Sequence, residues 1–88
     1  MSITDKYYDN VDEKLLDITV TMVNDALKEA CEKHYMTERD INVLARLLVY
    51  RKNGNDDGAM YEHVVDYLWM SYRIGFNQKH LLLDLLEE

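Results

Sequence analysis

Apolar residues recur at three- and four-residue steps along most of the chain, which is the spacing of an α-helix that buries one face. The first segment with this spacing carries its apolar stripe at Val11, Leu15, Ile18, Met22, Ala26 and Ala30, with Leu16, Val20, Val23 and Leu27 beside it. Asn10, followed three residues later by Glu13, is typical of a helix start, because such side chains bind free amide groups there. The pattern therefore predicts a first helix over residues 10–34.

A second helix is predicted over residues 37–52. Thr37 can cap its first turn, and the acidic Glu38 and Asp40 suit the positive end of the helix dipole. The apolar positions that predict its core-facing stripe are Ile41, Leu44, Leu47 and Leu48.

A third helix is predicted over residues 59–74, and it is apolar around most of its circumference. Its polar side chains occupy one narrow arc and are Glu62, His63, Asp66 and Arg73. A helix of this kind must be covered from more than one side. Gly75 is expected to end it.

The last apolar segment lies in "KHLLLDLLEE" and predicts a short helix over residues 78–87, capped by Asn77. Proline is absent and there are three glycines, which favours long helices joined by few turns. We therefore predict an all-α fold, a compact bundle of three to four helices that forms a single domain over residues 1–88. Residues 1–9 are predicted to be a polar N-terminal segment.

The run "NGNDDG", from Asn53 to Gly58, places oxygen-bearing side chains at alternate positions before a glycine, as the first half of an EF-hand calcium loop does. The bidentate glutamate that completes such a loop is absent, because Val64 occupies that position. The same run suits a turn in which Asn53 and Gly54 close one helix and a following aspartate caps the next. We interpret it as a turn between helices.

The chain of 88 residues contains 17 acidic and 10 basic residues, which gives a formal net charge of −7. This charge repels phosphate backbones and anionic lipid, so we expect no direct nucleic-acid binding and no membrane association. No apolar run approaches the roughly 20 residues of a membrane span, and the polar start does not resemble a secretory signal. Cys31 is the only cysteine, so an intramolecular disulfide is excluded and a cytoplasmic location is expected.

The sequence contains no nucleophile motif, glycine-rich phosphate loop or H-E-x-x-H stretch, so we predict a protein that is not an enzyme and needs no cofactor. Cys31 and His34 have the i, i+3 spacing of two zinc ligands on one helix face. Because there is no second cysteine, we predict a buried, inert Cys31 and no metal site.

The third helix supplies the candidate binding residues. Trp69 falls at the edge of its polar arc, with Met70 further into the arc, and large side chains at the rim of a charged face are typical of interface anchors. Packing of Trp69 beneath the last helix is the alternative. The residues that we predict to contact a partner or a second copy are Tyr61, Val65, Trp69, Met70, Tyr72 and Arg73.

These features predict a small acidic, non-catalytic binding protein of the inhibitor, immunity or adaptor type, which acts through protein–protein contacts and self-associates as a homodimer. One alternative is a nucleic-acid mimic, whose acidic face occupies the basic groove of a DNA- or RNA-binding protein. The residues of that face are Asp9, Asp12, Glu13 and Asp17. A second alternative is a metal-responsive helical switch.

Overall fold

The computed structural model describes residues 12–54 and 58–87. Within them the chain forms four α-helices, α1 to α4, followed by one turn of 3-10 helix. Their bounds, in chain order, are Glu13–Glu29, Glu38–Lys52, Ala59–Met70, Phe76–Asp84 and Leu85–Glu87. No strand occurs in this part of the chain, and the predicted all-α bundle is confirmed. The predicted polar segment 1–9 lies outside the described residues.

The start of α1 is fixed by the side chain of Asp12. One carboxylate oxygen accepts hydrogen bonds from the backbone amide of Lys14 at 2.9 Å and from that of Leu15 at 3.3 Å. A carboxylate at this position also suits the positive end of the helix dipole. The predicted cap, Asn10, lies outside the described residues.

The end of α1 comes at Glu29, earlier than the predicted residue 34. Cys31 takes a left-handed backbone conformation, with φ 55°, and its amide donates to the carbonyl of Lys28 at 3.1 Å. Such a residue closes a helix, because it turns the chain away from the helix axis. The thiol of Cys31 is exposed at this turn, so the prediction that it is buried is wrong.

The buried stripe of α1 is rotated relative to the predicted one. Its buried residues are Leu16, Thr19, Val23, Ala26 and Leu27. Ile18, which we expected in the core, is 60 % exposed. Thr19 takes an inward place because its hydroxyl donates to the carbonyl of Leu15 at 2.7 Å, which provides a partner for the buried hydroxyl. Apolar residues form two adjacent stripes on α1, so the neighbouring helices decide which stripe is covered.

The start and end of α2 agree with the prediction. The Thr37 hydroxyl accepts from the amide of Asp40 at 3.2 Å, and the Asp40 carboxylate accepts from the amide of Thr37 at 3.0 Å. This reciprocal pair is a capping box, which satisfies two free amides at once. The residues of α2 in the core are Ile41, Leu44, Ala45, Leu47, Leu48 and Val49, and they include all four predicted ones.

The end of α3 comes at Met70 and not at the predicted residue 74. Tyr72 takes a left-handed conformation, with φ 60°, and its amide donates to the carbonyl of Trp69 at 3.1 Å. The next amide, that of Arg73, donates to the carbonyl of Leu68 at 2.9 Å. These two bonds form a Schellman motif, so the helix is closed before Gly75 is reached.

The start of α4 depends on Gln78, which is fully buried. Its side-chain oxygen accepts from the amide of Gly75 at 2.8 Å, so α4 begins at Phe76 and not at the predicted residue 78. Its side-chain nitrogen donates to the carbonyls of Leu27 at 3.3 Å and Glu32 at 3.0 Å. One amide therefore joins the start of α4 to the end of α1.

Each helix packs mainly against two others. α1 packs against α2 and α4, and α3 packs against the same two helices from the other side. α1 and α3 therefore lie diagonally across the bundle. Tyr61 of α3 is buried, and its hydroxyl donates to the carbonyl of Leu82 in α4 at 2.5 Å. Burial raises the pKa of Tyr61 well above its ordinary value, which keeps this donor protonated.

We expect Tyr61→Phe to lower the free energy of unfolding by about 1.5 kcal/mol at pH 7, because the buried hydrogen bond to the carbonyl of Leu82 is lost and that carbonyl keeps only the amide of Leu85 as a donor. The pKa of Tyr61 is raised only in the folded state. The unfolded chain therefore ionises first above pH 10, and the wild type loses up to about 1.4 kcal/mol per pH unit there. Urea titrations should show that the difference in the free energy of unfolding between the wild type and Tyr61→Phe becomes smaller between pH 10 and pH 11. Tyr35→Phe, which alters an exposed tyrosine, is the control, and an equal loss in both variants would contradict the prediction.

We expect Gln78→Leu to lower the free energy of unfolding by about 3 kcal/mol. The change keeps most of the side-chain volume but leaves one amide and two carbonyls without their partner, and each buried unpaired group costs about 1–3 kcal/mol. Asn77→Leu, at the exposed neighbouring position, should change the stability by no more than about 0.5 kcal/mol. Urea denaturation followed by circular dichroism measures both, and similar values for the two variants would refute the role of Gln78.

Candidate interaction surface

Large exposed apolar side chains gather where α3 ends and α4 begins. We call this group the aromatic surface, and its members are Tyr67, Trp69, Met70, Tyr72 and Phe76. Tyr72 is 89 % exposed and Met70 is 72 % exposed, whereas Trp69 is 37 % exposed. Aromatic residues and methionine are enriched in protein interfaces relative to other surfaces.

Two open grooves make the aromatic surface continuous. The first encloses about 470 Å³ and is lined by His63, Asp66, Tyr67, Met70 and Ser71. The second encloses about 480 Å³ and is lined by Trp69, Met70, Tyr72, Ile74 and Gly75. Met70 lines both grooves, so the surface extends from the outward side of α3 across the linker to α4.

The helical repeat of α3 explains which of its residues are exposed. Tyr61, Val65 and Leu68 form the inward stripe and are at most 2 % exposed. Tyr67 and Met70 lie on the outward stripe, where a surface helix usually carries charged residues. The prediction that Tyr61 and Val65 contact a partner is therefore wrong, because core packing already covers both side chains.

Trp69 is partly covered by the last helix and partly exposed, so it combines the two alternatives from the sequence, packing beneath that helix and exposure at an interface. The Lys79 ammonium lies 3.9 Å from the centroid of its indole ring, within the range of a cation–π contact. The ring of Phe76 lies beside it, with centroids 6.4 Å apart and planes tilted by 58°. Lys79 is also 3.5 Å from the carboxylate of Asp66. Residues of α4 thus cover part of the indole, and the rest faces solvent.

Arg73 is bound within its own chain. Its guanidinium donates to the carboxylate of Asp40 and to the carbonyl of Tyr35, the latter at 3.2 Å. The amide of Tyr35 in turn donates to the carbonyl of Arg73 at 2.9 Å. These bonds fasten the linker between α3 and α4 to the linker between α1 and α2. Arg73 therefore positions the aromatic surface, and its charge is already paired.

The predicted acidic face lies away from the aromatic surface. Asp12, Glu13 and Asp17 are exposed at the start of α1, which is diagonal to α3. Asp12 also uses its carboxylate to cap α1. Asp9 lies outside the described residues. The nucleic-acid mimic thus stays a prediction about α1, separate from the aromatic surface.

The residues considered for metal binding do not form a site in the described part of the chain. No group of three or more His, Cys, Asp and Glu side chains is placed there to hold an ion. The middle of the half calcium loop, residues 55–57, lies outside the described residues. After it, Gly58 is the N-cap residue of α3, with φ 91°.

Two members of the aromatic surface were not predicted as contact residues. They are Tyr67 on α3 and Phe76 at the start of α4. The available signal was the i, i+3 spacing of Tyr67 and Met70, which puts both on the outward side once Tyr61, Val65 and Leu68 are assigned to the core.

Comparisons with known proteins do not add to this picture. No family model, curated protein or solved structure matches the chain. None of the helices in the described residues combines the length and the apolar character that a bilayer crossing requires. The exposed side chains themselves are therefore the basis for the proposal of a function.

We expect Lys79→Ala to make Trp69 more accessible, because the lysine side chain covers one face of the indole. Trp69 is the only tryptophan, so acrylamide quenching of fluorescence reports on it alone. The quenching constant should rise, with a loss of about 0.5–1 kcal/mol of stability from the missing cation–π contact. Lys33→Ala, in the linker between α1 and α2, should leave both unchanged. Unchanged quenching in Lys79→Ala would contradict the contact.

Proposed function

We propose that the chain is a non-catalytic binding protein that acts through protein–protein contacts and pairs with a second copy of itself through the aromatic surface. The observation that carries the proposal is the continuous exposure of Tyr67, Met70, Tyr72 and Phe76 around the partly covered Trp69. Contiguous apolar areas of more than a few hundred Å² normally mark an interface.

The area of the aromatic surface supports pairing between two copies. Taking about 150–250 Å² for a fully exposed aromatic side chain, the observed exposures give roughly 600 Å² on each copy. Two such surfaces would remove at most roughly 1,200 Å² from water if the contact covered them completely, which is the lower limit of the range for specific protein interfaces. The expected dimer is therefore reversible and depends on concentration.

The distribution of charge is compatible with pairing despite the net charge of −7. The acidic start of α1 lies diagonally across the bundle from α3, so it is remote from the aromatic surface. Near that surface, Asp66 is accompanied by Lys79 at 3.5 Å. The charge of Asp66 is therefore accompanied by an opposite charge where two copies would meet through α3 and the start of α4.

The aromatic surface also contains both a projecting side chain and a groove. Tyr72 is 89 % exposed, and it also forms part of the lining of the groove, together with Trp69, Met70, Ile74 and Gly75. A two-fold axis makes the contacts reciprocal, so if Tyr72 of one copy enters the groove of the other, the same contact forms twice. Two-fold pairing is the simplest arrangement that covers both.

We expect sedimentation equilibrium to give twice the chain mass at high micromolar concentration, with dissociation on dilution. Met70→Glu should raise the Kd about 100-fold, which is about 3 kcal/mol, because it places a charge at the centre of the apolar contact. Ile18→Glu is the matched control, since Ile18 is 60 % exposed on α1, away from the aromatic surface.

The control variant should pair as the wild type does. A wild-type protein that stays monomeric at several hundred micromolar would refute self-association. Equal weakening by Met70→Glu and Ile18→Glu would refute the aromatic surface as the site of pairing.

A further inference from the structure

Three helices of the chain end in the same way. After each, a residue with positive φ returns its amide to a carbonyl three residues earlier, which is the αL closure of a helix. These residues are Cys31 after α1, Gly54 after α2 and Tyr72 after α3, with φ of 55°, 78° and 60°. Their amides donate over 3.1, 2.9 and 3.1 Å respectively. Glycine fills this position in α2, whereas a large aromatic residue fills it in α3.

Tyrosine is a poor residue for this backbone conformation. Its Cβ crowds the following carbonyl, so it adopts left-handed φ roughly tenfold less readily than glycine does. Contacts of the Tyr72 side chain within its own chain do little to offset this cost, because the residue is 89 % exposed. A strained, exposed aromatic side chain indicates a role outside the folding of the single chain.

The turn that carries Tyr72 is held in place on both sides. The amide of Arg73 bonds to the carbonyl of Leu68, and the backbone of Arg73 pairs with that of Tyr35. Gln78 binds the amide of Gly75 at the other end of the linker. A side chain presented by a fixed turn loses less freedom on binding than one on a loose loop, which favours affinity.

We infer that Tyr72, and not Trp69, is the main anchor of pairing, and that its ring inserts into the groove beside Tyr72 on the second copy. This inference rests on the proposed function. The groove is open to solvent and has a volume of about 480 Å³, which leaves room for a phenol ring. Trp69 has less area to offer, because Lys79 and Phe76 already cover part of its indole.

We expect Tyr72 to destabilise the monomer and to stabilise the dimer, and Tyr72→Gly tests the two effects separately. At concentrations below the Kd, the equilibrium constant for unfolding of the monomer should fall about threefold, because glycine relieves the strained turn at some cost in chain entropy. The Kd of the variant dimer should be about 30-fold higher than that of the wild type, as expected for the loss of an interface anchor. Urea titration and sedimentation equilibrium measure the two quantities.

Cys31→Gly is the matched control, because Cys31 has the same backbone conformation and is exposed but lies outside the aromatic surface. It should also lower the unfolding constant, yet leave the Kd unchanged. Tyr72→Asn is a second test, since asparagine tolerates left-handed φ without the added freedom of glycine. It should raise the Kd as Tyr72→Gly does.

Failure of this inference is distinguishable from failure of the proposed function. A wild-type protein that never pairs would refute both. A wild type that pairs, is dissociated by Met70→Glu and still pairs normally as Tyr72→Gly would refute only the role of Tyr72. A monomer that becomes less stable in Tyr72→Gly would also overturn the inference, because the side chain would then serve its own fold.

Discussion

The buried amide of Gln78 is the contact on which the arrangement of this bundle end depends. Its oxygen accepts from the amide of Gly75, the N-cap residue of α4, and its nitrogen donates to the carbonyl of Leu27 in α1 and to that of Glu32 in the linker after α1. Because buried amide groups without partners are costly, Gln78 fixes where α1 stops and α4 starts. Arg73 adds a second tie, from the linker after α3 to Asp40 and to Tyr35. Together they force a short, fixed path between α3 and α4, and the aromatic surface lies along that path.

Whether a helix boundary could be predicted from the sequence depends on the interactions that set it. α2 could be predicted because its capping box, Thr37 with Asp40, is local and agrees with its packing. The ends of α1 and α3 could not be predicted, because Cys31 and Tyr72 adopt a conformation that their side chains disfavour. The start of α4 was also missed, although its bond from the Gly75 amide to the Gln78 side chain is local and has the spacing of a capping box. Local propensity contains no signal for the ends of α1 and α3.

The candidate site was predicted in part, and its errors have a geometric cause. Trp69, Met70 and Tyr72 were predicted as contact residues, and their side chains lie on the surface. Tyr61 and Val65 were named with them and lie in the core. A helix that is apolar around most of its circumference leaves the choice of inward stripe open, because its polar arc no longer marks the opposite side. Packing against α2 and α4 determines which stripe of α3 is buried.

The acidic charge has opposite consequences for the two kinds of binding that remain open. In a self-associating protein, charges of −7 on each copy repel, so salt would strengthen pairing by screening them. In a nucleic-acid mimic the acids are themselves the contact, so salt would weaken binding to a basic groove. The diagonal placement of α1 and α3 allows both in one molecule, because pairing through α3 leaves the acidic start of α1 facing outward. A pair of this kind would present two acidic faces at a fixed separation, and simultaneous contact through both raises the avidity for an extended basic partner.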